Sequence, residues 1–331
     1  MRDCAMGKSL RRAFLSPAIG LLAAVAVFGG APRLAAAEEW PTRPITLVIA
    51  STAGGMMDVI SRSLAQDLSV SLGQPVIVEF KPGGGGVIGQ QTVTKAEPDG
   101  YTLLQTNTGP MVFRPMMDKT VTYDADRDFT AISLVGDTPN AVLVNAKVGI
   151  KSIKDLLAYA DTKDRKLNIA HPGPGTMGHL CGVLLARKAK IEGNFIAYRG
   201  AQQILLDLTG GQVDMGTPAF GPGMDPLIVA VAGDHRMASQ PDVPTLKESG
   251  IDVVCSTWVG IFGPPNMPPE IVAKLNAAID AYLRKPDARG KFDPIGLRII
   301  GGAPDKMTAR IAADRAQWTD IIKSVNIDLS K

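Results

Sequence analysis

Between residues 45 and 106, three short apolar runs alternate with amphipathic segments, a pattern that restricts the chain to an α/β fold. Ile45–Ala50 is a continuous apolar run, the signature of a strand buried on both faces. Ser51-Thr52-Ala53-Gly54-Gly55 breaks it. Met57, Ile60, Leu64, Leu68 and Leu72 then recur at three and four residues and predict a helix, stopped by Gly73-Gln74-Pro75. A second strand is predicted over Val76–Phe80, followed by Lys81-Pro82 and the glycines 83–86, then a helix through about Ala96. Pro98-Asp99-Gly100 turns the chain into a third strand, Tyr101–Thr106. This βαβαβ order implies a parallel sheet with helices on both faces.

The middle of the chain repeats the theme. Ala141–Asn145 reads as a strand, and Ser152-Ile153-Lys154-Asp155 as a capping box. A strand at Leu167–Ala170 enters His171-Pro172-Gly173-Pro174-Gly175-Thr176 and a helix to about Lys188. Phe195–Tyr198 is a further strand, and a helix from Ala201 to Leu208 is closed by Gly210-Gly211. Ile271, Leu275, Ile279 and Leu283 mark one late helix; Met307, Ile311, Trp318 and Ile322 mark another, with Trp258 and Trp318 expected in the core. No repeat, low-complexity tract or linker interrupts the series, so two α/β lobes joined by continuous sheet or a hinge are expected.

The first 37 residues read as an export signal. Lys8, Arg11 and Arg12 precede an apolar run from Ala18 to Phe28, and Ala35-Ala36-Ala37 forms a small-x-small cleavage site. A membrane anchor needs roughly 20 apolar residues, and Gly29, Gly30, Pro32 and Arg33 end the run too early. Arg11-Arg12-Ala13-Phe14-Leu15 partly matches a twin-arginine signal. The leader holds five basic residues and one acid, leaving 30 basic against 31 acidic residues in the remainder. A mature net charge near −1 gives no reason to expect nucleic acid or an anionic membrane as partner. Beyond Cys4, the cysteines are Cys181 and Cys255. Free, buried thiols are expected, with a bridge between them as the alternative that an oxidising compartment would permit. The absence of cysteine after the cleavage site argues against a lipid anchor.

Three strand ends open into glycine-rich loops that start helices: 51–58, 81–89 and 171–179. Each presents unpaired backbone N–H groups at the positive end of a helix dipole. Glycine lets a ligand approach the main chain, and ligands of open parallel sheets sit at these carboxyl ends. The pattern points to capture of a small anion.

At these loops the chain resembles a specific family. Trp40-Pro41-Thr42-Arg43-Pro44-Ile45, Gly54-Gly55-x-x-Asp58, Leu72-Gly73-Gln74-Pro75-Val76 and Pro98-Asp99-Gly100-Tyr101-Thr102-Leu103 carry the likeness. So do Gly173-Pro174-Gly175-Thr176, Tyr198-Arg199-Gly200, Gly210-Gly211-Gln212-Val213-Asp214 and Trp258-Val259-Gly260. The family is the substrate-binding receptors of tripartite tricarboxylate transporters, the Bug proteins, and the resemblance spans nearly all of 40–328. It implies a two-lobed Venus-flytrap of the type II periplasmic binding fold. One lobe would comprise 40–137 plus 258–331 and the other 138–257. The family binds carboxylates through main-chain groups and bridging waters, so the implied ligand is a small organic acid and the implied partners are the transporter's membrane subunits. A periplasmic monomer without cofactor or metal is expected. Carried over, the first-lobe contacts would be Ser51, Thr52, Ala53, Gly54, Gly55 and Asp58, with Gly84, Gly85, Gly86, Thr106 and Asn107. The second lobe would supply Gly173, Pro174, Gly175, Thr176 and His179, with Tyr198, Arg199 and Gly200. The chain departs from the family at Ala50-Ser51 (usually Pro-Phe), at Phe80-Lys81 (usually Asn-Arg) and over 217–223, which is shorter and rebuilt with Gly and Pro. These changes leave the substrate open.

Several residues also have plainer readings. Asp58, in a first helical turn, improves a cap regardless of ligand, and Thr176 caps its own helix. His171 and His179 lack the spacing of a helical zinc pair. Gly84-Gly85-Gly86-Val87-Ile88-Gly89 matches G-x-G-x-x-G, but the next strand ends at Asn107 without the acid a ribose requires. No P-loop or nucleophile elbow is present, and three histidines make thin acid–base machinery. A non-enzymatic receptor is expected, with a receptor reporting to a signalling partner as the alternative.

Overall fold

The computed structural model describes residues 39–162, 164 and 166–325; the expected leader lies outside them. From the N-terminal side the elements are β1 (Ile45–Ile49), α1 (Met56–Leu72), β2 (Val76–Phe80), α2 (Val87–Thr94) and β3 (Thr102–Asn107). A π-helical turn, Gly109–Phe113, runs into the short α3 (Arg114–Met117) and then β4 (Thr130–Pro139). Next come β5 (Ala141–Val144), α4 (Ile153–Asp161), β6 (Leu167–His171), α5 (Met177–Ala189), β7 (Gly193–Ala197) and α6 (Ala201–Gly210). The rest comprises β8 (Met215–Gly216), β9 (Ile228–Val231), β10 (Ser256–Gly263), α7 (Pro269–Leu283), α8 (Pro286–Phe292), β11 (Arg298–Ile299) and α9 (Asp305–Val325).

Two sheets organise these elements. The first has strand order β11-β4-β10-β3-β1-β2 and the second β7-β6-β8-β5-β9. The expected parallel βαβαβ unit is present, with β1 flanked by β2 and β3 in parallel register. The sheet as a whole is mixed, however, because β10 inserts antiparallel between β3 and β4. β1 is buried along nearly its whole length, which is why its sequence is a continuous apolar run. Met57, Ile60, Leu64 and Leu68 form the buried stripe of α1, and Gly73 ends it at φ 71°, a left-handed conformation glycine adopts without a Cβ penalty. Met307, Ile311, Trp318 and Ile322 are all buried on α9.

The chain passes between the sheets twice. β4 ends at Pro139, and Asn140 leads directly into β5; the return runs through Cys255 into β10. Asn140 N donates to Cys255 O at 3.0 Å, so the two crossings are hydrogen-bonded to each other. Asp137, buried at the end of β4, is held by Arg298 through two contacts of 2.8 Å and by Ser256 Oγ at 3.1 Å. A buried carboxylate is tolerated because these donors replace its water.

The structure corrects the expectation of free thiols. Cys181 on α5 and Cys255 at the return crossing form a disulfide with Cα atoms 5.9 Å apart. Both face one core that also holds Leu180, Leu184, Val253, Trp258 and Trp318. Burial against shared neighbours brings together two residues that lie 74 positions apart.

Candidate functional site

A cavity of about 250 Å³ lies where elements of both sheets meet. Ala50, Gly85, Asn107, Gly109, Pro110 and Arg114 line it from the first sheet's side. Pro172, residues 174–178 and Ala219 line it from the second, with Asn140 at a crossing and Thr257 near the start of β10.

The loop after β6 owes its shape to short local bonds. Gly173 and Gly175 take φ values of 124° and 74°, which side-chain-bearing residues avoid. Thr176 is the N-cap of α5: its Oγ1 accepts from His179 N at 3.3 Å and donates to Gly173 O at 2.8 Å. Capping leaves the first-turn N–H groups of Met177 and Gly178 without an acceptor inside the helix, and both residues line the cavity. A Cβ at Gly178 would come within 2.6 Å of Thr217 O, so only glycine fits against the neighbouring strand.

Two buried histidines brace this loop from behind. His171 and His179 stack with ring centroids 4.1 Å apart. His171 Nδ1 accepts from Gly173 N at 3.3 Å and His179 Nδ1 from Gly175 N at 3.4 Å. His179 therefore supports the turn and does not line the cavity. Burial, with the neighbouring His171 charge adding to it, pushes the His179 pKa down to about 4; burial also lowers that of His171. Both rings are neutral at neutral pH. Stability is thus full above the unfolded-state value of 6.5 and is lost as pH falls toward about 4, because the unfolded chain takes up the protons first. The His179 share is roughly 3 kcal/mol. His179→Asn, which keeps an acceptor and does not titrate, is expected to flatten the decline in melting temperature between pH 6.5 and 4. An unchanged pH profile would remove the histidine from that role.

The other sequence-derived candidates divide. Gly85, Asn107, Pro174, Gly175 and Thr176 line the cavity. Gly84 and Gly86 flank Gly85, all three in positive φ. Thr106 is buried and its Oγ1 accepts from Gln90 Nε2 at 2.7 Å. The stretch Ser51, Thr52, Ala53, Gly54 and Gly55 is largely exposed and does not line the cavity, although Ala50 does. Asp58 acts within its own loop: Oδ2 accepts from Gly54 N at 2.9 Å and Oδ1 pairs with Arg62. Tyr198 donates to Asp207 Oδ2 at 2.6 Å, its pKa pushed up to about 12 by burial. Arg199 is exposed, and neither it nor Gly200 lines the cavity. Among the described residues, no group of three His, Cys, Asp or Glu side chains is placed to hold a metal ion.

Arg114, Asn140, Gly109, Pro110 and Thr257 also line the cavity, as do Met177 and Gly178, though none of them is among the contacts expected from the sequence. Gly109-Pro110, two residues beyond the end of β3, is the available signal, since a loop leaving a strand's carboxyl end faces the ligand side of the sheet. Nothing local marked Arg114 or Asn140, one on a four-residue helix and the other between two strands.

The same architecture recurs in known proteins. A family model described as the tripartite tricarboxylate transporter family receptor matches residues 60–327. The UPF0065 protein in the tcbD-tcbE intergenic region of Pseudomonas sp. is 32% identical over 318 residues, covering 93% of this chain and 94% of that one. Among solved structures, an R. palustris protein with adipate gives a TM-score of 0.80 at 29% identity, covering 87% of this chain and 99% of that one. MatC from Rhodopseudomonas palustris with bound malate gives 0.74 at 28% identity, covering 85% and 99%.

Proposed function

Because this chain belongs to the tripartite tricarboxylate transporter receptor family, whose members are solute-binding proteins and not enzymes, we propose that it captures a small carboxylate in the cavity between its sheets. The observation that carries this reading is the cavity wall itself. On one side stand Met177 and Gly178, whose N–H groups the Thr176 cap does not take up; on the other stand the glycine turn at Gly85, Asn107 and Arg114. A helix N-terminus and its dipole favour an anion, and charge-assisted hydrogen bonds contribute about 1.5–3 kcal/mol each. Three or four such bonds, less the cost of association, give roughly micromolar affinity near −8 kcal/mol. Adipate and malate in the related structures support a carboxylate ligand.

The finer parts of the proposal rest on the leader pattern and on what family membership implies. The leader is cleaved after Ala37, the mature protein works in the periplasm, and it hands its ligand to the membrane subunits of a tripartite transporter. The lobes, divided at the Asn140 and Cys255 crossings, close over the bound acid by a hinge motion.

Thermal unfolding of residues 38–331 against mono-, di- and tricarboxylates and their neutral amides tests the reading. An acid at 100 times its dissociation constant adds about 2.7 kcal/mol. For about 290 residues this raises the midpoint by roughly 4 °C. The matching amide is expected to leave the midpoint unmoved. A flat response to every acid, with a neutral compound stabilising instead, sinks the proposal.

A further inference from the structure

We propose that Arg114 and Asn140 read two different groups of the solute: a carboxylate on the Arg114 guanidinium and a hydrogen-bond donor, hydroxyl or ammonium, on Asn140 Oδ1. The ligand is thereby an acid that also carries a donor, as hydroxy acids and amino acids do. This rests on the carboxylate reading above and narrows its ligand class.

Arg114 opens α3 and is mostly buried. Its Nη2 lies 2.7 Å from Asp118 Oδ2. Asp118 is itself fixed, its Oδ1 accepting from Thr120 N at 2.9 Å and Thr120 Oγ1 at 2.6 Å. The Thr120 hydroxyl bond is the largest cause holding its carboxyl below the usual range. The ion pair anchors one corner of the guanidinium and leaves further donors in a planar fork that matches a carboxylate. Arg114 Nε is buried without a hydrogen-bond partner among the described residues. Gly85 keeps the approach clear: it holds φ 64°, and a Cβ there would come 3.3 Å from Arg114 Nη1. An unpaired buried donor is costly, and a ligand oxygen removes that cost.

Asn140 carries the complementary signal. It is 1% exposed and lines the same cavity. Its Nδ2 donates to Thr217 O at 2.9 Å. That bond fixes the amide orientation, because the flipped amide would set two acceptors against each other. Oδ1 is then the free atom, buried without a partner among the described residues. A lone carbonyl acceptor repels a carboxylate and selects a donor. A site that pairs such a group discriminates strongly against ligands lacking the donor.

The test is calorimetric titration of matched acids. The triplets are malate, aspartate and succinate; lactate, alanine and propionate; and mandelate, phenylglycine and phenylacetate. On the unmodified mature protein, the donor-bearing acids of the bound skeleton are expected to exceed the plain acid by about 10-fold or more. The preferred member of the pair tells hydroxyl from ammonium. Arg114→Gln is expected to weaken the acid by about 10- to 100-fold, with Arg114→Lys in between. Asn140→Ala, checked by unfolding, is expected to erase the preference for the donor while the plain acid still binds. Equal affinity within a triplet, or an Arg114→Gln affinity within about twofold of the parent, overturns the proposal and leaves the carboxylate reading standing. Failure of every acid to bind overturns both. The unmodified-protein series decides the donor question even if Asn140→Ala fails to fold.

Discussion

Reduction of the Cys181–Cys255 disulfide is expected to cost the folded protein about 4 kcal/mol, from the chain entropy released when a loop of roughly 75 residues is opened. For about 290 folded residues the unfolding entropy near the midpoint is of order 0.6 kcal/mol per kelvin, so the melting temperature falls by roughly 7 °C. Unfolding with and without a reductant measures this directly, and the Cys181→Ala/Cys255→Ala double variant should match the reduced protein. The fold should survive, because the sulfurs sit in an apolar core that includes Leu180, Leu184 and Trp258. Coincident transitions would show that the crosslink does not restrain the unfolded chain. Since the bridge ties α5 to the crossing next to Asn140, the reduced protein should also bind its ligand more weakly: the helix that presents Met177 and Gly178 loses its covalent reference to the opposite wall.

Gly175→Leu is expected to abolish measurable binding, a loss of at least roughly 100-fold. Gly175 lines the cavity at φ 74°, and its N–H donates to His179 Nδ1. A leucine there either keeps the left-handed backbone and crowds the cavity, or relaxes it and swings the loop away from its histidine brace. The left-handed strain alone costs about 1–2 kcal/mol of stability. Gly149→Leu provides the control: Gly149 has φ 71°, open space around it and no place in the cavity wall. It should share the stability loss and retain full affinity. Binding by Gly175→Leu at the level of Gly149→Leu would exclude the loop from the site.

Much of the first sheet was legible because its signals are local. β1, α1 and β2 follow from a buried run, a 3.6-residue stripe and a glycine stop, all read within 36 residues. Ser152 caps α4 by accepting from Asp155 N at 3.1 Å, as the spacing indicated. The antiparallel insertion of β10 was not legible. Its partners, β3 and β4, are distant in sequence, and no local pattern states which edge a returning strand will choose.

The same division runs through the site. Glycines 85 and 175, with Thr176, announced themselves because tight turns and caps demand particular residues at particular positions. The family resemblance implies His179 as a cleft contact, whereas in the structure its ring packs behind the loop. Whether a helical side chain faces a ligand or a neighbouring strand depends on what lies across from it. The sequence by itself determined the α/β class, the β1–α1–β2–α2–β3 order that opens the chain, the glycine loops and the family resemblance. Only the tertiary structure decided the disulfide, the mixed sheet and the meeting of Arg114 with Asn140 around one cavity. Turns, caps and periodicities act over a few residues and are written where they act. Contacts between residues far apart in sequence are set by how two sheets share a core, which no single stretch of chain encodes.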